Sequence, residues 1–288
     1  MASTTESLTG AIEEQSDDTE RDSGRVQSSM LSGTELSLSY ATSEQPVVEC
    51  ERIDIPEGEI TAIVGPNGSG KSTMLAALSD HHTPDAGSVV LDGQTIEEYG
   101  NKELARALGH LSQEHGSPDS VTVADLVAHG RYPHRGPFES LTEADEAAIE
   151  RALTLAGVES LREKPVGDLS GGQKQLAWIA LVLAQETDTL LLDEPTTYLD
   201  LHHQLRVMET VERLNETDDV TVAVVLHDIA QAARFADNLI AMCDGELYDW
   251  GPPRDVLTES LLADVFSVKA TVVYEPALQI IPERSISD

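Results

Sequence analysis

Nine residues, Gly65 to Thr73, read GPNGSGKST and follow directly on the apolar run ITAIV. Their spacing fits G-x-x-x-x-G-K-[ST], a backbone loop that wraps phosphates. Gly65, Gly68 and Gly70 permit positive φ and a close approach to a ligand, with Pro66, Asn67 and Ser69 between them. Amides of the loop and of the following helix N-terminus then face an anion. Lys71 is placed to reach the β and γ phosphates, and the Ser72 hydroxyl to hold Mg²⁺. A second reactive pair stands in TLLLDEP, residues 189–195. This buried strand delivers Asp193 and Glu194 at its C-terminal edge, where α/β sheets place their sites. One carboxylate there can orient Mg²⁺ through water, and its neighbour can polarise an attacking water as general base. A third segment, LSGGQ at residues 169–173, opens a helix. Ser170 is a good cap, and Gly171 and Gly172, ahead of Gln173, bare their amides at the positive end of the helix dipole. The segment reads equally as an ordinary capped helix start. As an anion site it raises a stoichiometric question, because one chain does not need two phosphate cradles for one nucleotide. Two chains packed head to tail do, each closing the other's site.

The elements that must position these groups are legible in outline. Alternation in TELSLSYA and the run GEITAIVG predict a small β region, and GSVVLDGQTI predicts strand, turn and strand. Residues from about 114 to 171 read as mostly helical, with TVADLVAHG and TEADEAAIERALTLAGV showing three-to-four spacing and Thr142 as an N-cap. After LSGGQ, apolar strands (TLLLD, VTVAVV, LIAMC) alternate with helices. That pattern predicts a parallel sheet covered on both faces. Residues 1–33 are polar and acidic and are expected to be disordered, leaving 34–288 as one domain with its helical subdomain at about 114–171.

Composition narrows the partners. The formal net charge is -34, and residues 1–33 contribute only seven acids and two bases, so about -29 falls on the remainder. Such a body repels itself unless salt screens it, and the Debye length falls to roughly 3 Å near 1 M salt. With only five lysines as well, the chain is expected to be adapted to high internal salt, as in a halophilic archaeon. A basic face for nucleic acid is lacking, so no nucleic-acid partner is expected. Cys50 and Cys243 match no metal spacing and are expected to be plain buried thiols. His129, His134, His202 and His203 do not converge in spacing, and no metal site is expected there. Without an apolar run near 20 residues or a signal-like leader, the chain is expected to be cytoplasmic and soluble by itself.

GPNGSGKST, LSGGQ, LLLDEP, YLD and LHD, in this order and at these intervals, resemble the ATP-binding cassette (ABC) ATPases over about residues 34–288. The resemblance implies a P-loop NTPase fold of the ABC type, with a mainly parallel sheet, a small antiparallel β subdomain and a helical subdomain. It implies ATP and Mg²⁺ as ligands, and residue roles at matching positions. Tyr40 fits the aromatic that stacks on adenine. Gln113 fits the glutamine that joins Mg²⁺ and the attacking water to the transporter-facing helices. Asp200 matches the loop that crosses to the partner subunit, and His227 the histidine that contacts the γ-phosphate. Lys174 and Gln175 stand where the family often carries arginines, which implies a weakened surface contact. No motif residue is replaced, so an active ATP hydrolase is expected.

Within the family, ADLVAHGRYPHRG at residues 124–136 is similar to the GRYPH segment of importers for iron–siderophores, haem and cobalamin. That likeness implies a head-to-tail dimer of this chain that sandwiches ATP, bound to two permease subunits at the cytoplasmic face of the membrane. An extracellular binding protein would take part indirectly. Val127, Arg131, Tyr132 and Pro133 are the expected permease contacts. Ferric siderophore is the preferred cargo, with cobalamin or haem as the alternative. A soluble, non-transport cassette is a further reading, although the coiled-coil inserts or doubled cassettes usual for that role are not visible.

Overall fold

The computed structural model describes residues 29–41, 43, 45–113, 116, 120–136 and 139–286. β1 (Ser29–Leu38) and β2 (Val48–Pro56) form a long antiparallel pair, followed by β3 (Ile60–Val64) and α1 (Lys71–Leu78). β4 (Ala86–Leu91) and β5 (Gln94–Thr95) complete a four-stranded antiparallel sheet in the order β2-β1-β4-β5. α2 (Asn101–Ala107) and β6 (Leu108–Leu111) then lead into the helical part, α3 (Val123–Ala128), a 3₁₀ segment at His129–His134 and α4 (Glu143–Ala156). The chain returns through α5 (Gly171–Leu183), β7 (Thr189–Asp193), α6 (Leu201–Asp218), β8 (Thr221–Val225), α7 (Ile229–Phe235), β9 (Asn238–Cys243) and β10 (Glu246–Gly251). α8 (Pro253–Val256), α9 (Glu259–Asp264) and a hairpin of β11 (Val268–Val273) with β12 (Gln279–Ser285) finish it.

The central sheet runs β10-β9-β3-β8-β7-β6, parallel throughout except for the edge strand β10. Its strands are apolar on both faces because both are covered. Ala62 and Val64 of β3, Leu190 and Leu192 of β7, and Val222 and Val224 of β8 pack in one core with α3, α4, α5 and α6. Ile63, Leu191, Ala223 and Val225, one residue out of phase, pack in a second core with α1 and the antiparallel sheet. The period-2 alternation of a strand thus splits each apolar run between two cores. α4 forms where predicted: Thr142 accepts from the Asp145 amide, Asp145 returns a bond to the Thr142 amide, and Gly157 at φ 70° ends the helix.

Three expectations change. β1 starts at Ser29, inside the stretch 1–33 expected to be disordered, while residues 1–28 lie outside the described residues. Leu31, fully buried opposite Ile55, pulls this polar segment into the sheet. Cys50 is buried, but Cys243, at the end of β9, is only half-buried. Burial pushes both thiols up. Gln175 is buried and donates to the Pro195 carbonyl at 3.4 Å, so it is no surface contact.

Candidate functional site

The phosphate loop leaves β3 between its parallel neighbours β8 and β9. A Cβ on Gly65 would sit 2.2 Å from the Met242 carbonyl oxygen of β9, so only glycine passes between the strands. Gly68 (φ 83°) and Gly70 (φ 93°) are in the left-handed region, and Gly70 immediately precedes α1. The Ser69 amide donates to the Pro66 carbonyl at 3.3 Å, closing a turn around Asn67 and Gly68. Lys71 is buried, and its Nζ donates to the carbonyls of Gly65 (3.0 Å) and Pro66 (2.8 Å). Burial pushes its ammonium down from the usual lysine range, against the opposing pull of Glu194 and Asp193. The Ser69 hydroxyl is buried without a hydrogen-bond partner. An ammonium hydrogen-bonded to loop carbonyls, an orphaned hydroxyl and open space beside Gly68 fit a polyphosphate.

Carboxylates flank this cradle. Ser72 Oγ donates to Asp193 Oδ1 at 3.0 Å, so two oxygen ligands suited to Mg²⁺ already stand together. Burial pushes the Asp193 carboxyl above its usual range. Next to it, Glu194 is 7% exposed and adopts φ 50°, a left-handed conformation for a non-glycine residue. Its amide is held by the Val225 carbonyl (3.2 Å), and its own carbonyl by the Thr197 amide (3.1 Å). Gln113 Nε2 donates to Glu194 Oε2 at 2.9 Å, and Thr197 Oγ1 to the same oxygen at 3.1 Å. His227 Nε2 lies 2.6 Å from Glu194 Oε1.

Topology accounts for this convergence. Gln113 lies just past β6, Asp193 and Glu194 at the end of β7, His227 just past β8, and the phosphate loop past β3. These four strands are parallel and stand in the order β3-β8-β7-β6, so their carboxyl ends present one contiguous edge. The sequence reading missed Thr197. Its signal was its place three residues after Glu194, where a turn brings the hydroxyl back to the carboxylate.

Tyr40 joins the cradle: its hydroxyl is 3.1 Å from Thr73 Oγ1, and its ring centroid 5.0 Å from that of His82. The remaining predicted residues form a separate site. Ser170, Gly171, Gly172, Gln173 and Asp200 line a concavity together with Tyr198 and Leu199. Ser170 and Gln173 cap α5 reciprocally, and Asp200 caps α6 by accepting from the His203 amide at 3.0 Å. That amide and the His203 ring hold the Asp200 carboxyl below its usual range. Histidines with no common focus in the sequence are occupied locally. His129 meets the Asp125 carbonyl, His134 the Gln185 carbonyl, and His203 the Asp200 carboxylate.

The segment at 129–134 corrects the expected permease contacts. Of the four expected contacts, Val127, Arg131 and Pro133 are buried, and Tyr132, 66% exposed, presents a surface. Arg131 is an internal strut, with Nε to Asp145 at 2.9 Å and Nη1 to Glu186 at 3.0 Å and to the Ala184 carbonyl at 2.8 Å. Arg106 donates to the Pro133 carbonyl and Lys102 to that of Arg135, so two cations of α2 fix the segment. Lys102 also sits 4.6 Å from the centroid of the Tyr132 ring.

Residues 51–197 match the family model described as ABC transporter. The chain is 44% identical over 246 residues to the ferric enterobactin transport ATP-binding protein FepC of Escherichia coli (strain K12), covering 85% of this chain and 90% of that one. It is 37% identical over 223 residues to the cobalamin import ATP-binding protein BtuD of Halobacterium salinarum, covering 77% of this chain and 56% of that protein. Among solved structures, the dimeric bacterial ABC transporter cassette MJ0796 superposes with a TM-score of 0.71 at 29% identity, covering 78% of this chain and 99% of that chain.

Proposed function

The chain belongs to the ABC transporter family of ATP-binding cassettes, and on that premise we propose that it is the ATP-hydrolysing subunit of an importer for ferric siderophores. The observation that carries the chemistry is the closure of Gln113, Thr197 and His227 on the Glu194 carboxylate, beside Lys71 and Ser72. Lys71 exchanges its loop carbonyls for phosphate oxygens when ATP enters, and the amides of Gly68, Gly70 and Lys71 orient the polyphosphate. Ser72, Asp193 (through water) and Gln113 are the residues that would hold Mg²⁺, and the ion would supply neutralisation of phosphate charge there. Glu194 accepts the proton of the attacking water, with the carboxylate aimed by Gln113 and Thr197. His227 donates a hydrogen bond where charge develops on the γ-phosphate.

The second anion-binding loop supports a head-to-tail dimer. Ser170 to Gln173 and Asp200 line a concavity that includes no residue of the cradle, and a second copy would bring them to it across the interface. Tyr132, on a segment fixed by Arg131, Arg106 and Lys102, meets the permease at the cytoplasmic face of the membrane, and Gln113 carries the state of the γ-phosphate toward it. No helix among the described residues is long and apolar enough to cross a membrane, which fits a subunit that relies on a separate permease. A cobalamin importer is the second reading, favoured by the likeness to the protein from Halobacterium salinarum. The strongly acidic body further supports a protein adapted to high salt. Uptake of labelled ferric siderophore and of labelled cobalamin, measured side by side in a deletion strain, tests the cargo. Loss of iron uptake alone, restored by the parental gene but not by Lys71→Ala, is expected. Loss of cobalamin uptake alone establishes the second reading, and unchanged uptake of both overturns the importer assignment.

A further inference from the structure

Tyr40 is fastened to α1 at two separate points. Its hydroxyl meets Thr73 Oγ1 in the first turn, at 3.1 Å. Its ring meets His82, just past the last turn, at 5.0 Å between centroids and 52° between planes. His82 is itself fixed by backbone: its amide and that of His81 both donate to the Ala76 carbonyl, at 3.1 and 2.9 Å, in the turn that ends α1. The His82 Nε2 is buried with no hydrogen-bond partner among the described residues, so no polar contact at that nitrogen accounts for the ring's position. Among the described residues, the ring packed against it is that of Tyr40. Tyr40 remains 46% exposed, which leaves surface for a ligand.

We propose that His82 is a positioning residue for the nucleobase, holding the Tyr40 ring in place so that the helix that cradles the phosphates also fixes the base platform. This rests on the proposed stacking of adenine on Tyr40. An aromatic side chain anchored at one end only by a hydroxyl can rock about that bond. A second ring against it removes the motion before the nucleotide arrives, and preorganisation of this kind raises affinity without a new ligand contact. An aromatic pair is worth about 0.5–1.5 kcal/mol beyond its buried area. Loss of the bracing ring therefore weakens ATP binding about two- to tenfold at 1.4 kcal/mol per decade.

The test compares the affinities of the full chain for ATP and for inorganic tripolyphosphate, by titration calorimetry, in five forms: parental, Tyr40→Ala, His82→Ala, His82→Phe and the double variant Tyr40→Ala with His82→Ala. The proposal expects His82→Ala to weaken ATP about two- to tenfold, tripolyphosphate affinity to hold, and His82→Phe to recover most of the loss. In His82→Ala, Tyr40→Ala should then cost less than it does in the parental chain. If Tyr40→Ala weakens ATP while His82→Ala does not, the bracing role is wrong and the stacking survives. If Tyr40→Ala leaves ATP affinity unchanged, the stacking itself is wrong. Equal loss of ATP and tripolyphosphate in His82→Ala would mark a damaged phosphate loop and overturn the proposal.

Discussion

Arg131 was expected on the surface, and its burial yields a quantitative test. The side chains of Arg131 and Asp145 are 7% and 6% exposed, and they meet at 2.9 Å. Removing one partner of such a pair leaves the other charge buried, which typically costs about 3–5 kcal/mol. Two features place the cost of Arg131→Ala near the lower end. Asp145 keeps its bonds from the Thr142 hydroxyl (2.7 Å) and amide (2.9 Å), and Glu186 is exposed enough to be resolvated. About 3 kcal/mol is therefore expected, which for a chain of this size lowers Tm by about 6–12 °C. The sign with pH follows from the carboxylate. Thr142 foremost, then Arg131, holds the Asp145 carboxyl well below the usual carboxylate range. A depressed folded pKa gives stability that is present above the unfolded value, about 4, and lost as pH falls through the folded one. The gap between parent and variant should thus be flat from pH 5 to 8, and should narrow in acid as Asp145 protonates first in the variant. Circular dichroism melts at fixed high salt measure it, with Tyr132→Ala as the exposed neighbour that should shift Tm by less than about 2 °C. A Tm for Arg131→Ala within that same margin would refute the strut.

Further outcomes follow from the same geometry. Gly65→Ala places a Cβ 2.2 Å from the Met242 carbonyl, against backbone that cannot yield, and should destabilise by about 1–3 kcal/mol with loss of ATP binding, read by melting and calorimetry. Because burial raises the Asp193 carboxyl, acidification should protonate it ahead of ordinary carboxylates, so Mg²⁺-dependent ATP affinity should fall from that higher pH downward. In Asp193→Asn the remaining affinity should lose that acid limb, and an identical profile in parent and variant would exclude Asp193 as its source. With a net charge of -34, Tm should rise steeply from dilute buffer to molar KCl. An unchanged Tm would remove the case for adaptation to salt.

Residues that do chemistry through the backbone or at strand ends were legible because their constraints are local. Gly65 to Thr73 needs glycines at fixed spacing, and Asp193-Glu194 needs only an apolar strand ahead of it. The order β3-β8-β7-β6 was not legible, since parallel pairing joins residues far apart in the chain, such as Leu111 with Leu192. Without that order, Gln113, Glu194 and His227 could be grouped only by resemblance. Arg131 misled for a related reason: an arginine in a polar, proline-containing segment reads as exposed, and its partners Asp145 and Glu186 are 14 and 55 positions away. Thr197 was overlooked because a threonine in a turn has a bland local reading. At Ser29–Gly33 composition outweighed one buried leucine, Leu31, whose role depends on β2.

The account turns on Glu194 as the base, and Glu194→Gln tests it most directly: steady-state ATP hydrolysis, with oligomeric state by light scattering in ATP and Mg²⁺. The amide keeps the shape and an acceptor oxygen for Gln113 and Thr197 but cannot take a proton, so turnover should fall by at least about 100-fold. ATP binding should persist and the chain should accumulate as a dimer. Hydrolysis at the parental rate would contradict the account.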